Sequence, residues 1–148
     1  MGWLNSMQIS ATGLSAQRLR MNVIANNIAN AQTTRTAQGG PYRREIVQLK
    51  PMQSGPQQSF AGLLSSSQGQ SAAGAGVQVS GIIKDPSPFK QVYDPSSPDA
   101  VNGYVQMPNV NISTEMVDMI SASRAYQANV TAFAAGKQMY RDALTLGQ

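Results

Sequence analysis

The 148-residue sequence contains neither histidine nor cysteine. Those two absences remove imidazole bases, thiolate nucleophiles, and the nitrogen and sulfur donors of most transition-metal sites. Aromatic residues are scarce at 6%, while 13 glycines and 8 prolines sit among many Ser and Gln, so only a modest core is expected. No apolar run approaches the length that spans a bilayer, which gives an expectation of no direct membrane insertion. Met1-Gly2-Trp3-Leu4-Asn5 has no basic segment leading into an apolar stretch and a small-residue cleavage site. No secretory signal is therefore visible, and export would need another route. A cysteine-free chain cannot report its compartment, but it tolerates an oxidising one.

The carboxylates that remain (Glu45, Asp85, Asp94, Asp99, Glu115, Asp118 and Asp142) form no catalytic motif. Asp94 and Asp99 flank a Pro/Ser turn. Glu115 and Asp118 lie three apart on one helical face, where the positive end of a helix dipole favours acids. Without a nucleophile and its base, catalysis is not expected, nor is any cofactor or metal. The first fifty residues hold six bases (Arg18, Arg20, Arg35, Arg43, Arg44 and Lys50) against Glu45 alone. A nucleic-acid or membrane-surface module would rest on these, but they are spread over a helix, a loop and a strand. Nucleic acid is not an expected partner.

What the chain does carry is helical periodicity at both ends. Leu4, Met7, Ala11, Leu14, Arg18, Met21, Ala25 and Ile28 alternate steps of three and four, the a/d spacing of a coiled coil, with Arg18 the one polar member. Gly13 is the weak point of that helix. At the other end the stripe is Ile112, Met116, Met119, Ser123, Tyr126, Val130, Phe133, Lys137, Tyr140 and Leu144. No proline falls between 109 and 148, Asn111 is the expected N-cap, and about 35 residues at 1.5 Å each make a helix of roughly 50 Å. Two such helices can pair antiparallel within one molecule. Their unequal lengths leave apolar positions that only another subunit covers.

Between them, five regions are expected: an N-terminal helix (1–30), a loop and strand (31–51, strand at 42–49), a Ser/Gln/Gly-rich mobile loop (52–76), a small β region (77–110) and the C-terminal helix (111–148). The loop lacks the apolar content to offset its ordering entropy. Strands are expected at Val77–Ile83, Gln91–Tyr93 and Gly103–Met107, each ended by proline or turn residues. The expected fold class is α+β, with long terminal helices packed as a coiled coil around a small β-rich centre.

Several segments together resemble the bacterial flagellar axial proteins, and within them the basal-body rod family. The run Leu14-Ser15-Ala16-Gln17-Arg18-Leu19-Arg20-Met21-Asn22-Val23-Ile24-Ala25-Asn26-Asn27-Ile28-Ala29-Asn30 is similar to the Asn-rich opening of rod and hook proteins. Gly39-Gly40-Pro41-Tyr42-Arg43-Arg44, Val92-Tyr93-Asp94-Pro95, Gly103-Tyr104-Val105-Gln106-Met107-Pro108-Asn109 and Glu115-Met116-Val117-Asp118-Met119 resemble proximal rod subunits in order and spacing. The likeness spans the chain except residues 52–76.

The resemblance implies a structural subunit of a helical, periplasm-spanning rod that transmits torque from motor to hook. It implies export by the flagellar type III apparatus and, as partners, copies of itself, the proximal and distal rod proteins and the MS-ring/rod junction protein. Asn is a poor helix former because its amide competes for backbone hydrogen bonds, so a cluster of four in one helix calls for partners elsewhere. Asn22, Asn26 and Asn30 recur every four residues, and with Asn27 their amides are expected at a subunit interface, unless Asn30 merely ends the helix. The interface expected on the N-terminal helix is Leu4, Met7, Ala11, Leu14, Met21, Asn22, Ala25, Asn26, Asn27, Ile28 and Asn30. On the C-terminal helix it is Ile112, Met116, Met119, Ser123, Tyr126, Val130, Phe133, Tyr140 and Leu144. With these faces uncovered, the ends are expected to be largely disordered before assembly.

Overall fold

The structure, a computed structural model, describes residues 2–52 and 75–146. The Ser/Gln/Gly-rich loop expected at 52–76 therefore falls almost wholly outside the described residues. In chain order the elements are α1 (Gly2–Ala29), β1 (Glu45–Pro51), β2 (Val77–Lys84), β3 (Lys90–Tyr93), β4 (Tyr104–Met107) and α2 (Ile112–Leu146). The α+β class with two terminal helices and small antiparallel strands between them is as expected.

The helix ends follow from local chemistry. Asn30 closes α1 by returning its amide Nδ2 to the Asn26 carbonyl at 2.9 Å, so it ends the helix as an Asn can. The Asn111 Oδ1 accepts from the N–H groups of Ser113 (3.0 Å) and Thr114 (3.4 Å), the N-cap read from sequence. Strand β1 begins at Glu45 rather than Tyr42. The Tyr42 N–H is bonded to the Thr33 carbonyl, and the Arg44 N–H to the Asn109 side chain, so neither is free for a ladder.

Strands β3 and β4 pair antiparallel from Lys90–Met107 to Tyr93–Tyr104. Tyr93 and Tyr104 meet edge-on, ring centroids 5.3 Å apart. The turn into β4 is the pair Asn102 (φ 52°) and Gly103 (φ 81°), with Val101 and Tyr104 exchanging backbone hydrogen bonds around it. Two successive left-handed residues make the tight hairpin turn that suits twisted strands, and Asn-Gly is the pair that adopts it most readily.

The chain divides into two compact units. One comprises Met1–Ala16, Leu49–Ser80 and Tyr126–Gln148. Here the two helices run antiparallel: a Cβ on Gly13 would lie 2.9 Å from the Asn129 amide, and one on Gly136 would lie 3.1 Å from Met7 Cγ. Missing side chains thus let the backbones approach. Gly13 reads from sequence as a defect and is in fact a contact. Thr12 of α1 accepts the Val77 N–H at 3.2 Å, which pins the start of β2.

The second unit comprises Gln17–Gln48 and Gly81–Ala125, and contains Val23, Ile24, Val47, Val105 and Ala122 as its buried apolar residues. That small apolar core is completed by two buried polar side chains, Asn27 and Glu115.

The expected apolar stripes lie only partly in the seam: Met7 meets Gly136, and Met119, Tyr126 and Phe133 are half-buried, whereas Met116, Val130, Tyr140 and Leu144 are exposed. On α2 the positions that turn inward are Glu115, Ala122, Asn129 and Gly136, seven apart, one residue before the expected Met116, Ser123, Val130 and Lys137. Small and polar side chains on α2 therefore share the close approach with large apolar ones such as Met7. On α1, Ala16, Val23, Ile24 and Asn27 are buried, whereas Ala11 and Ala25 are exposed. Antiparallel pairing of the helices is seen in the first unit, and packing of the whole stripes as a coiled coil is not confirmed.

Candidate functional site

At the heart of the second unit, the side chain of Asn27 joins three elements. Its Nδ2 donates to the Glu45 carbonyl (2.9 Å) and to Glu115 Oε2 (3.0 Å). Its Oδ1 accepts from the Glu45 N–H (3.0 Å) and from the Tyr42 hydroxyl (3.0 Å). A carboxamide has two donors and two lone pairs, so all four are used. By pairing with both backbone groups of Glu45, the amide substitutes for a neighbouring strand at the first residue of β1.

Arg44 completes the cluster. Its Nε bonds Glu115 Oε1 at 2.5 Å, its Nη2 bonds Asp118 at 3.2 Å, and its Nη1 lies 3.7 Å from Asp85. Glu115 is only 1% exposed, and each carboxylate oxygen has a partner. A buried carboxylate is tolerable on those terms. Glu115 does stand in the first turn of α2, as the dipole favours, and the spacing of three that sets it on one face with Asp118 also lets one guanidinium span both. Asn109 holds the strand side, accepting the Arg44 N–H at 2.8 Å and donating to the carbonyls of Asp85 and Ser87 at 3.3 Å.

Two groups titrate away from their ordinary ranges. Burial pushes the Tyr42 hydroxyl up, and the charges of Glu45 and then Glu115 add to it. The Asp85 carboxyl is held low chiefly by the Ser87 hydroxyl, then by the Ser87 N–H, with Arg44 a lesser contributor.

The residues expected at an interface fall into three groups. Asn27 is inside the chain, 1% exposed, and its amide is saturated there rather than offered to a neighbour. Met7, Leu14, Met21, Ile28, Asn30, Met119, Ser123, Tyr126 and Phe133 are half-buried. Ala11, Asn22, Ala25, Asn26, Ile112, Met116, Val130, Tyr140 and Leu144 are exposed. Leu4 lies among the residues whose side chains are not described. Sequence reasoning missed Arg44, Tyr42, Glu115, Asp118 and Asn109 as a set. The available signal was an arginine opening a strand and two acids three apart on a helix, but nothing local says that they meet.

Outside the cluster, α2 presents an apolar face. Ile112 (43% exposed), Met116 (55%) and Ile120 (53%) recur every four residues, with Val117 (65%) beside them. Farther along the helix, in the first unit, Val130, Met139, Tyr140 and Leu144 are also exposed. Among the described residues, the exposed large apolar side chains far outnumber the buried ones, the reverse of a self-contained domain. Among those residues, too, no helix is long and apolar enough to cross a membrane.

Comparison with known proteins agrees with these features. Residues 7–35 match the family described as flagella basal body rod protein, and residues 101–146 the C-terminal region of the flagellar basal body rod FlgEFG proteins. The chain is 48% identical over 153 residues to the flagellar basal-body rod protein FlgC of Borreliella burgdorferi, covering 100% of this chain and 99% of that one. It is 47% identical to the protein of the same name from Bacillus subtilis, over 97% of each. The corresponding protein of Salmonella typhimurium is 40% identical over the whole of both chains.

Proposed function

The chain belongs to the FlgC family of flagellar basal-body rod proteins, structural subunits and not enzymes, and from that premise we propose that it builds the proximal part of a periplasm-spanning drive shaft. As a rod subunit it acts in the flagellar basal body, in assembly with other rod components. In the proposed arrangement, α1 and α2 form the rod core. Their uncovered residues meet copies of the chain, the proximal and distal rod proteins, and the MS-ring/rod junction protein. The small β region lies outside that core. A contact that joins different patches of successive subunits does not close on itself, so it generates a helical array able to carry torque from motor to hook.

The observation that supports this reading is the apolar face of α2, from Ile112 to Ile120, large, regular and uncovered in the isolated chain. Interface residues carried forward are the exposed and half-buried members of both helices. Asn27 is set aside because its amide is already bonded within the chain. Export through the flagellar type III apparatus suits a chain whose ends fold only on joining the rod. The stretches that wait for a neighbour are the helix parts of the first unit, because those of the second are tied by the Asn27–Arg44–Glu115 bonds.

Deleting the gene and imaging purified basal bodies tests the assignment: rods should be missing, and swimming cells with intact rods would refute it. Circular dichroism of the purified monomer tests the folding step. It should show less helix than the 63 residues of α1 and α2 together, whose lengths are 28 and 35. A fully helical, cooperatively melting monomer would count against it.

A further inference from the structure

We propose that the buried Asn27–Glu115 bond, backed by Arg44, is a register lock that selects one axial alignment of α1 against α2. The inward positions of α2, Glu115, Ala122, Asn129 and Gly136, repeat every seven residues, and two of the four are small. Such a seam has little to distinguish one alignment from the next, because sliding a helix by seven residues presents the same face again. A slide of that length moves the helix by about 10 Å, at 1.5 Å per residue.

Within the second unit, Asn27 faces Glu115. Moving α2 by one heptad sets Asn27 against Ala122, which has nothing to accept its amide protons. It also leaves the Glu115 carboxylate without the Nδ2 donor. The opposite slide would bring Pro108, which precedes the helix, to that place. The side-chain amide is held from a third direction, because Glu45 at the head of β1 uses both its backbone N–H and its carbonyl on Asn27. Misalignment therefore breaks contacts to a strand as well as to a helix. One buried polar contact in an otherwise permissive seam is a known physical means of fixing register.

Register has a consequence for assembly. It decides which part of the Ile112–Ile120 face lies level with the exposed Asn22 and Asn26 of α1, and hence what surface a neighbouring copy meets.

The absence of cysteine makes the test direct. Spin labels on Asn26→Cys and Arg124→Cys, both at exposed positions of the second unit, report the alignment of the full chain by double electron–electron resonance. In the otherwise unaltered protein a single distance is expected. In Asn27→Leu/Glu115→Leu, which leaves Arg44 its Asp118 and Asp85 partners, a second population should appear, with the labels displaced along the helix axis by about 10 Å. Glu115→Gln, which retains a carbonyl acceptor for Asn27, should keep the single distance. A single unchanged distance in Asn27→Leu/Glu115→Leu would overturn the proposal, as would several distances in the unaltered protein. Loss of the helical circular dichroism signal in Asn27→Leu/Glu115→Leu would overturn it too, because the pair would then be required for folding as such and not for choosing between alignments.

Discussion

Glu115 and Asn27 carry the consequences that act at single residues. Glu115→Ala takes one carboxylate from Arg44, which keeps Asp118 and Asp85, and leaves one buried Asn27 donor unpaired, a loss of about 1–3 kcal/mol. Urea denaturation should register that loss as a lower midpoint. Exposed Asn22→Ala should change it by less than about 0.5 kcal/mol. Acid acts through Asp85, whose folded-state pKa is lowered by its Ser87 hydrogen bonds. Its contribution is present above the unfolded value near 3.8 and is lost as pH falls through the folded one. Alkali acts through Tyr42, whose folded-state pKa is raised above 10.0, so its contribution is present below that pH and is lost as pH rises through the folded value. Midpoints measured across both ranges should flatten on the acid side in Asp85→Asn and on the alkaline side in Tyr42→Phe. None of this was legible from the sequence. Asn27 belongs to an Asn-rich run in which all four residues look alike, and only the backbone of Glu45, eighteen positions away, singles it out.

The elements themselves were largely legible. Helical spacing, the Asn111 cap, the alternation at Val77–Ile83 and the prolines that end each strand are local signals, and the structure follows them closely. The helix seam was only partly legible: Met7, which meets Gly136, stands in the expected stripe, but Glu115, Ala122 and Asn129 on α2 are residues that a search for large apolar side chains passes over. Gly13 offers a test at this scale. Replacing an exposed helical glycine by alanine ordinarily stabilises by about 1 kcal/mol. At Gly13 the new methyl would meet the Asn129 amide at 2.9 Å, so Gly13→Ala should forfeit most of that gain. Adding Asn129→Ala should restore it, and thermal melting of the two variants against Asn129→Ala alone would measure the difference.

For the whole molecule, the relevant quantity is what stays uncovered. The few buried apolar residues and the exposed face on α2 support the proposal that neighbours complete the fold, and mutations should separate the two roles. Ile120→Glu, at a position 53% exposed, should leave the monomer's urea midpoint within about 0.5 kcal/mol of the parent. The same change puts a charge into the proposed apolar contact between subunits, so it should abolish swimming and rod formation, read by motility plates and by electron microscopy of basal bodies. Glu115→Ala should instead damage both. The unequal lengths of the two helices, 28 and 35 residues, were legible in the sequence; which of their residues stay exposed needed the fold.

The saturated amide of Asn27 also bears on how the protein ages. Deamidation would swap one nitrogen for one oxygen with no change of shape, yet it would turn a donor aimed at the Glu115 carboxylate and the Glu45 carbonyl into a negatively charged acceptor. The lesion is chemically minute and structurally severe.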